Sequence, residues 1–423
     1  MIATTVLLLL GLMALSIPVA AVLGILAIVL DKSYAVFPLT NAIGEIAWST
    51  STAPSMVAIP LFILLGQLML HSDMAGDMYR SMRAWLGWLP GGLMHANIGS
   101  SSLFAATSGS SVATAATITS IALPEARANG YNEKLFCGTL AAGGTLGILI
   151  PPSINLILYA VITETSVTRL YVSAVVPGLL LAGLFSAVLI ALCLMKPEFG
   201  GRRETFDLRN ALRGLPMLLP PLLVFFAILG SIYTGLATPN EAAAMGVAAA
   251  AVICLWRGKL SLEICRRVLL STMETTAMIM LIVIAAAFLN FVLSGIGLVA
   301  AVTRMVDAVN LTPFWTMVLI ILFYVALGCV MESLSLMIAT TPIFAPIVFG
   351  LGYDPIWFGI VLMIVIEMAL ITPPVGMNLY VVQGVRKTGS IGDIMAGSAP
   401  FVVAMTLMIA LLLAFPQIAL LSR

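Results

Sequence analysis

Apolar residues fill long, nearly charge-free runs along this chain, 214–256 among them, and short polar segments separate the runs. A run of about 20 apolar residues crosses a bilayer as a helix, so the pattern predicts an all-α polytopic membrane protein. Full spans are predicted near 3–30, 54–71, 135–162, 171–195, 215–235, 240–256, 268–293, 357–384 and 397–418. Two further runs, 89–123 and 313–348, are each about two short helices long. Each has a polar, small-residue centre: Thr107-Ser108-Gly109-Ser110-Ser111 in the first and Glu332-Ser333-Leu334-Ser335 in the second. Both read as re-entrant hairpins with tips near midplane, where irregular backbone is tolerated only against protein or a watery cavity.

Charge orients the chain, because short loops rich in Lys and Arg stay cytoplasmic. The densest clusters are Lys196, Arg202, Arg203, Arg209, Arg213 and then Arg257, Lys259, Arg266, Arg267, and both are expected inside. Thr238-Pro239-Asn240-Glu241 then marks a turn at the outer face. Working outward gives nine crossings, with the N-terminus inside and the C-terminus outside. Arg80, Arg83, Arg127, Lys134, Arg386 and Lys387 join the clusters inside, against Lys32, Arg169, Arg304 and Arg423 outside, a division of fifteen to four. The run 6–30 has no basic residue before it and is too long for a signal-peptide core, so it is expected as a retained first span.

Composition agrees: 61% of the 423 residues are apolar and 9% charged, against about 25% charged in soluble domains. A net charge of +1 offers no basic field for nucleic acid. Cys137, Cys193, Cys254, Cys265 and Cys329 lack C-x-x-C spacing and read as small buried hydrophobes. His71 and His95 read as structural, since neither neighbours another ligand type. There is no phosphate loop, no H-E-x-x-H and no Asp-rich run, which disfavours ATP hydrolysis and a membrane enzyme.

The chain also repeats itself at an offset of 222: Pro151-Pro152 with Pro373-Pro374, Gly130-Tyr131 with Gly352-Tyr353, Phe136 with Phe358, Pro124 with Pro346, Thr119 with Thr341, Ser111 with Ser333. One offset thus aligns hairpin with hairpin and double proline with double proline. The span near 215–235 is an odd crossing between two four-crossing halves, so the second half is inverted. The expected organisation is a first repeat over 1–195 (hairpin 89–123, broken helix 135–162), a basic loop and linking span over 196–236, and a second repeat over 237–423 (hairpin 313–348, broken helix 357–384). Inverted repeats with broken helices at midplane are an architecture of secondary transporters.

The chemistry is expected at the breaks. Consecutive prolines remove two amide donors and clash with the preceding turn, freeing carbonyls in Gly143–Asn155 and in Ile371–Asn378. Each break is expected opposite its own hairpin tip. Freed carbonyls with Ser, Thr and Asn oxygens make a hard-oxygen cage for a cation such as Na⁺, while new helix N-termini favour an anion. Together these suggest cation-coupled uptake of an anionic solute, with Na⁺ as coupling ion and no cofactor. Neither tip nor break holds an arginine, so helix termini, bound Na⁺ and the polar side chains Ser108, Ser110, Asn155, Ser335 and Asn378 must hold the carboxylate. Glu332 at the second tip and Glu367 within a span are carboxyl groups at membrane depth, which usually mark an ion path or a paired structural site.

As a set, 58–63, Pro90-Gly91-Gly92-Leu93, the 108–111 tip, 146–155, Pro177-Gly178-Leu179, 237–243 and 370–378 resemble the large membrane subunit of tripartite ATP-independent periplasmic (TRAP) transporters, over essentially the whole chain. The resemblance implies sodium-driven uptake of an organic acid, such as a C4-dicarboxylate, sialic acid or another sugar acid, across the bacterial inner membrane. It implies a periplasmic binding protein and a small four-helix membrane subunit as partners, the latter a separate chain, and an elevator mechanism in which hairpins and broken helices slide against a scaffold. By motif match it places one sodium site at Ser108, Gly109, Ser110 and Ser111 with Pro151, Pro152 and Ser153. It places a second at Glu332 and Ser333 with Thr372, Pro373 and Gly376, Glu332 standing where many relatives have Asp. Two alternatives remain open on sequence: a carboxylate symporter needing no binding protein, and a membrane enzyme using Glu332 and Glu367.

Overall fold

The computed structural model describes residues 1–15, 17–202, 205–298, 300–301, 304 and 312–420. Arg203 and Arg423, two of the charges that orient the chain, lie outside the described residues. Among those described there is no strand. In chain order the helices are α1 (Ile2–Ala14), α2 (Val19–Tyr34), α3 (Ile43–Ser51), α4 (Ala58–His71), α5 (Met74–Leu86), α6 (Leu93–Ser108), α7 (Ser111–Ala128), α8 (Glu133–Leu149) and α9 (Ile154–Ile162). They continue with α10 (Val167–Met195), α11 (Leu208–Tyr233), α12 (Pro239–Trp256), α13 (Leu262–Gly295), α14 (Pro313–Gly328), α15 (Ser333–Gly350), α16 (Pro355–Ala369), α17 (Met377–Arg386) and α18 (Ile391–Ala414).

The order hairpin, helix, break, helix occurs twice, as α6–α7–α8–α9 and as α14–α15–α16–α17. The first hairpin turns at Gly109-Ser110 and its return helix runs to Ala128, past the expected 123. Gly109 sits at φ +61°, a left-handed conformation that glycine adopts without a Cβ penalty. The double prolines do end helices. Between α8 and α9 the axis bends by 44° over a four-residue gap, and 370–376 separates α16 from α17. The Pro151–Pro152 and Pro373–Pro374 peptide bonds are both cis. The helices leading into the breaks are the centre of the molecule: every residue of Leu135–Leu149 and of Ile356–Ala369 is buried.

One expected span is corrected. The stretch 3–30 is not a single crossing but a hairpin of α1 and α2, since Thr4 Oγ1 and Tyr34 OH lie 2.7 Å apart. The reason is Pro18, which caps α2 and disfavours helical geometry in the residue before it. The N-terminus and the Lys32 end of α2 therefore share one side, so the expected placement of the first inside and the second outside cannot hold for both.

Elsewhere, segments assigned to the same face meet. Arg127 and Arg386 pair with Glu133 (2.9 and 3.0 Å), Lys134 with Asp393 (2.8 Å), Arg257 with Asp77 (2.7 Å), and Arg83 with Glu125. At the opposite end Tyr159 OH donates to the Pro355 carbonyl (2.6 Å), Trp357 Nε1 to Leu412 (2.9 Å) and Asn240 Nδ2 to Pro54 (2.7 Å). Two polar connections are themselves helical. α3 is one; α5 is the other, burying Met74, Met78 and Tyr79 while Arg80 points away.

The turn at 238–241 is a capping box: Thr238 Oγ1 accepts from the Glu241 amide, Glu241 accepts from the Thr238 amide, and Pro239 opens α12. Thr238→Ala is therefore expected to destabilise the protein by about 1 kcal/mol, seen as a small fall in melting temperature with the fold intact.

Candidate functional site

Each tip packs against its own break. A Cβ built on Gly109 would lie 3.4 Å from the Pro152 carbonyl oxygen. In the second half the Gly376 amide donates to the Cys329 carbonyl (3.1 Å), and Cys329 Sγ lies 3.5 Å from the Pro373 carbonyl oxygen. Cys329, read from sequence only as a small hydrophobe, is thus part of the second tip.

The new helix N-termini are capped by the residues that the tips and breaks supply. Ser110 Oγ accepts from Ala113 N, Ser153 Oγ from Leu156 N, and Glu332 Oε2 from Ser335 N (3.0 Å). Ser333 Oγ donates to the other carboxylate oxygen of Glu332 (2.9 Å). A carboxylate at a helix N-terminus is stabilised by the local amides and the helix dipole. Both Glu332 oxygens are therefore engaged within their own tip.

Between the tips lies a cavity of about 200 Å³. Its wall includes Ser108–Ala113 of the first tip, Glu332–Leu334 of the second, and Ile154 and Asn155 of the first break. The N-termini of α7, α9 and α15 thus converge on one space. Among the described residues no Lys or Arg lines it. Asn155 is 2% exposed, and its Nδ2 has no hydrogen-bond partner. A buried amide donor left unpaired is destabilising, and this one belongs to a cavity wall, where an acceptor would satisfy it. The opposite wall comes from α4 and α13 and includes Gln67 and Thr275. Sequence reasoning missed both; the signals were a lone polar residue, Gln67, in an apolar span and the polar run Ser271-Thr272-Met273-Glu274-Thr275-Thr276 within the span 268–293.

A second cluster joins the two halves. Ser111 Oγ donates to Glu367 Oε2 (3.0 Å) and accepts from Asn378 Nδ2 (2.8 Å), and the same amide lies 3.4 Å from the Ala141 carbonyl oxygen. All three side chains are buried. Glu367 Oε1 and Asn378 Oδ1 have no partner. The first residue of α7 is thereby tied to both sides of the second break, a link that no local motif announces.

The remaining expected residues are placed as follows. Ser108 Oγ lies 3.0 Å from Thr114 Oγ1, inside the first hairpin. Pro151 and Pro152 form the break that faces Gly109, and the Ser153 carbonyl accepts from Tyr171 OH (3.2 Å). Thr372 Oγ1 donates back to the Met368 carbonyl (2.6 Å). Ser335 is engaged through its backbone amide at the Glu332 cap and is not on the cavity wall. Asn378 belongs to the Ser111 cluster rather than to the wall. His71 and His95 bond main-chain carbonyls of Gln67 and Pro90 (both 2.9 Å), in keeping with structural roles.

The family described as the DctM component of the tripartite ATP-independent periplasmic transporters matches residues 6–418. The chain belongs to that family. This permease is 34% identical over 380 residues to the C4-dicarboxylate TRAP transporter large permease protein DctM of Pseudomonas aeruginosa, covering 88% of this chain and 87% of that one. It is 29% identical to the sialic acid TRAP transporter large permease protein SiaM of Vibrio cholerae, over 87% and 86% of the two chains. Its fold matches that of the Alcanivorax borkumensis YdaH transporter, described as having an unusual topology, with a TM-score of 0.67, 15% identity, and 94% and 96% coverage. A multi-pass membrane permease is thus the frame into which the cavity has to be fitted.

Proposed function

We propose that the permease carries out sodium-coupled uptake of an organic acid anion across the bacterial inner membrane. The observation that supports this most is the cavity between the tips: three helix N-termini converge there with the unpaired amide of Asn155, and among the described residues no Lys or Arg lines it. Helix N-termini and amide donors suit a carboxylate. With no arginine to balance the anion, bound cations supply the compensating charge, which makes solute binding depend on sodium.

Sodium is assigned to the tip–break junctions: Ser108–Ser111 with Pro151–Ser153, and Glu332 and Ser333 with Thr372–Gly376. The packing of each tip on its own break supports this assignment. With Glu332 saturated inside its tip, the second site would draw more on carbonyls than on that carboxylate. Sodium orders each break against its tip, the solute closes between them, and the charge-balanced unit crosses by an elevator movement of hairpins and broken helices against α4 and α11–α13. The C4-dicarboxylate and sialic acid relatives support an organic acid as the solute, and the family's tripartite description points to a periplasmic binding protein and a small membrane subunit as partners.

The test is uptake into proteoliposomes holding the permease, its small subunit and a loaded binding protein, with and without an inward sodium gradient. Ser110→Ala and Asn155→Ala are each expected to lower sodium-dependent uptake about tenfold. Wild-type uptake and sodium affinity in both variants would remove the site assignment, and gradient-independent uptake would remove the coupling.

A further inference from the structure

At the end of the molecule that carries the basic clusters, away from the central cavity, a pocket of about 700 Å³ opens between α5 and α11. Arg80 and Arg83 of α5 and Arg213 of α11 line it, with Thr205, Asn210 and Trp88. Ser81 Oγ donates to the Gly214 carbonyl (2.8 Å) and ties the two helices together at its floor.

Two of the three arginines already have a carboxylate partner. Asp77 is shared between Arg80 (2.5 Å) and Arg257 (2.7 Å), Glu125 serves Arg83, and Asp207, itself on the pocket wall, accepts from the Arg209 amide (2.9 Å) at the head of α11. Arg213 makes no ion pair among the described residues and is exposed. The pocket therefore offers the Arg213 guanidinium, the N–H groups of Arg80 that Asp77 does not take, the Thr205 hydroxyl and the Asn210 side-chain amide, a donor set that phosphate oxygens take.

Its surroundings point to a lipid-borne phosphate. Trp88 and Phe206 stand at its rim, half exposed, their ring centroids 6.0 Å apart, as aromatic residues do at the headgroup level. Basic pockets between helices on the positively charged side of a membrane protein are known to take anionic headgroups.

We propose that this pocket is a binding site for the headgroup of an anionic phospholipid, its phosphate held by Arg213 with Arg80. The experiment titrates the delipidated permease with phosphatidylglycerol, phosphatidylcholine or inorganic phosphate, reading melting temperature and bound lipid by native mass spectrometry. Phosphatidylglycerol is expected to bind and stabilise at least tenfold more effectively than phosphatidylcholine. Arg213→Gln combined with Arg80→Gln should bring the two lipids together, while Arg213→Lys keeps most of the preference. The melting temperature in phosphatidylcholine alone shows whether each variant is folded, and Arg213→Gln alone, at an exposed side chain without an ion pair, serves if the double variant is not. Equal binding of the two lipids, or undiminished phosphatidylglycerol binding in folded Arg213→Gln, overturns the proposal. So does full stabilisation by inorganic phosphate, which would make this a free-anion site.

Discussion

Gly397→Ala is expected to prevent stable packing of α8 against α18, with a melting temperature far below wild type and little monodisperse protein recovered. A Cβ on Gly397 would run into the Lys134 carbonyl, and a Cβ on Gly138 into the Gly397 carbonyl, so the two helices touch backbone to backbone at this crossing. Overpacking a core usually destabilises by about 1–3 kcal/mol because side chains shift to make room. Here the obstacle on both sides is main chain and cannot rotate away, so a loss of about 3 kcal/mol or more is expected. The Lys134–Asp393 ion pair (2.8 Å) bridges the same pair of helices near their ends and resists their separation. Gly384→Ala in α17, where a Cβ would meet nothing within 4 Å, is the matched control and should melt with wild type or slightly above it. If Gly397→Ala melts with that control, the close approach of α8 and α18 is not a determinant of stability.

That contact also marks where sequence reasoning reaches its limit. The hairpins and breaks were legible because their causes are local: a polar small-residue centre stops an apolar helix, and a double proline ends one, whatever surrounds it. The offset of 222 between Pro151 and Pro373 then paired the halves without any three-dimensional information. The N-terminal stretch failed for the opposite reason. Run length alone does not distinguish one crossing from two short antiparallel helices, and Pro18 interrupts the run without any charge to mark a turn. α5 is not announced by any unbroken apolar run, because its apolar and charged residues are interleaved. The contacts of Gly138 with Gly397 and of Ser111 with Glu367 join residues more than 250 positions apart, and no spacing in the chain encodes them. The cavity sits between these regimes: its tips and first break were foreseen, while Gln67 and Thr275 came from helices read only as membrane spans.

Asymmetry between the halves gives the second large effect, at Glu367. At the repeat offset its counterpart is Thr145, and the counterpart of Glu332 is Ser110, so both carboxyl groups belong to the second half. Glu332 is spent on its own helix cap, but Glu367 reaches across to Ser111 at the start of α7 and, through it, to Asn378 beyond the second break. Glu367→Ala leaves the Ser111 hydroxyl without its acceptor in a buried site, a loss of about 1–3 kcal/mol, or roughly 5- to 150-fold in an equilibrium constant. Since Ser111 heads the first tip and Asn378 follows the second break, the loss should fall on the coupling between the two proposed sodium sites as well as on either one. The expected result in proteoliposomes is sodium-dependent uptake reduced at least tenfold, with a shallower dependence on sodium concentration. Glu367→Gln keeps an oxygen acceptor for Ser111 and should fall between the two. A melting temperature within a few degrees of wild type would separate this from simple unfolding. Should Glu367→Ala, folded and inserted, give a sodium titration superimposable on wild type in both midpoint and steepness, the link from the first tip to the second break is structural only, and the two sites load independently.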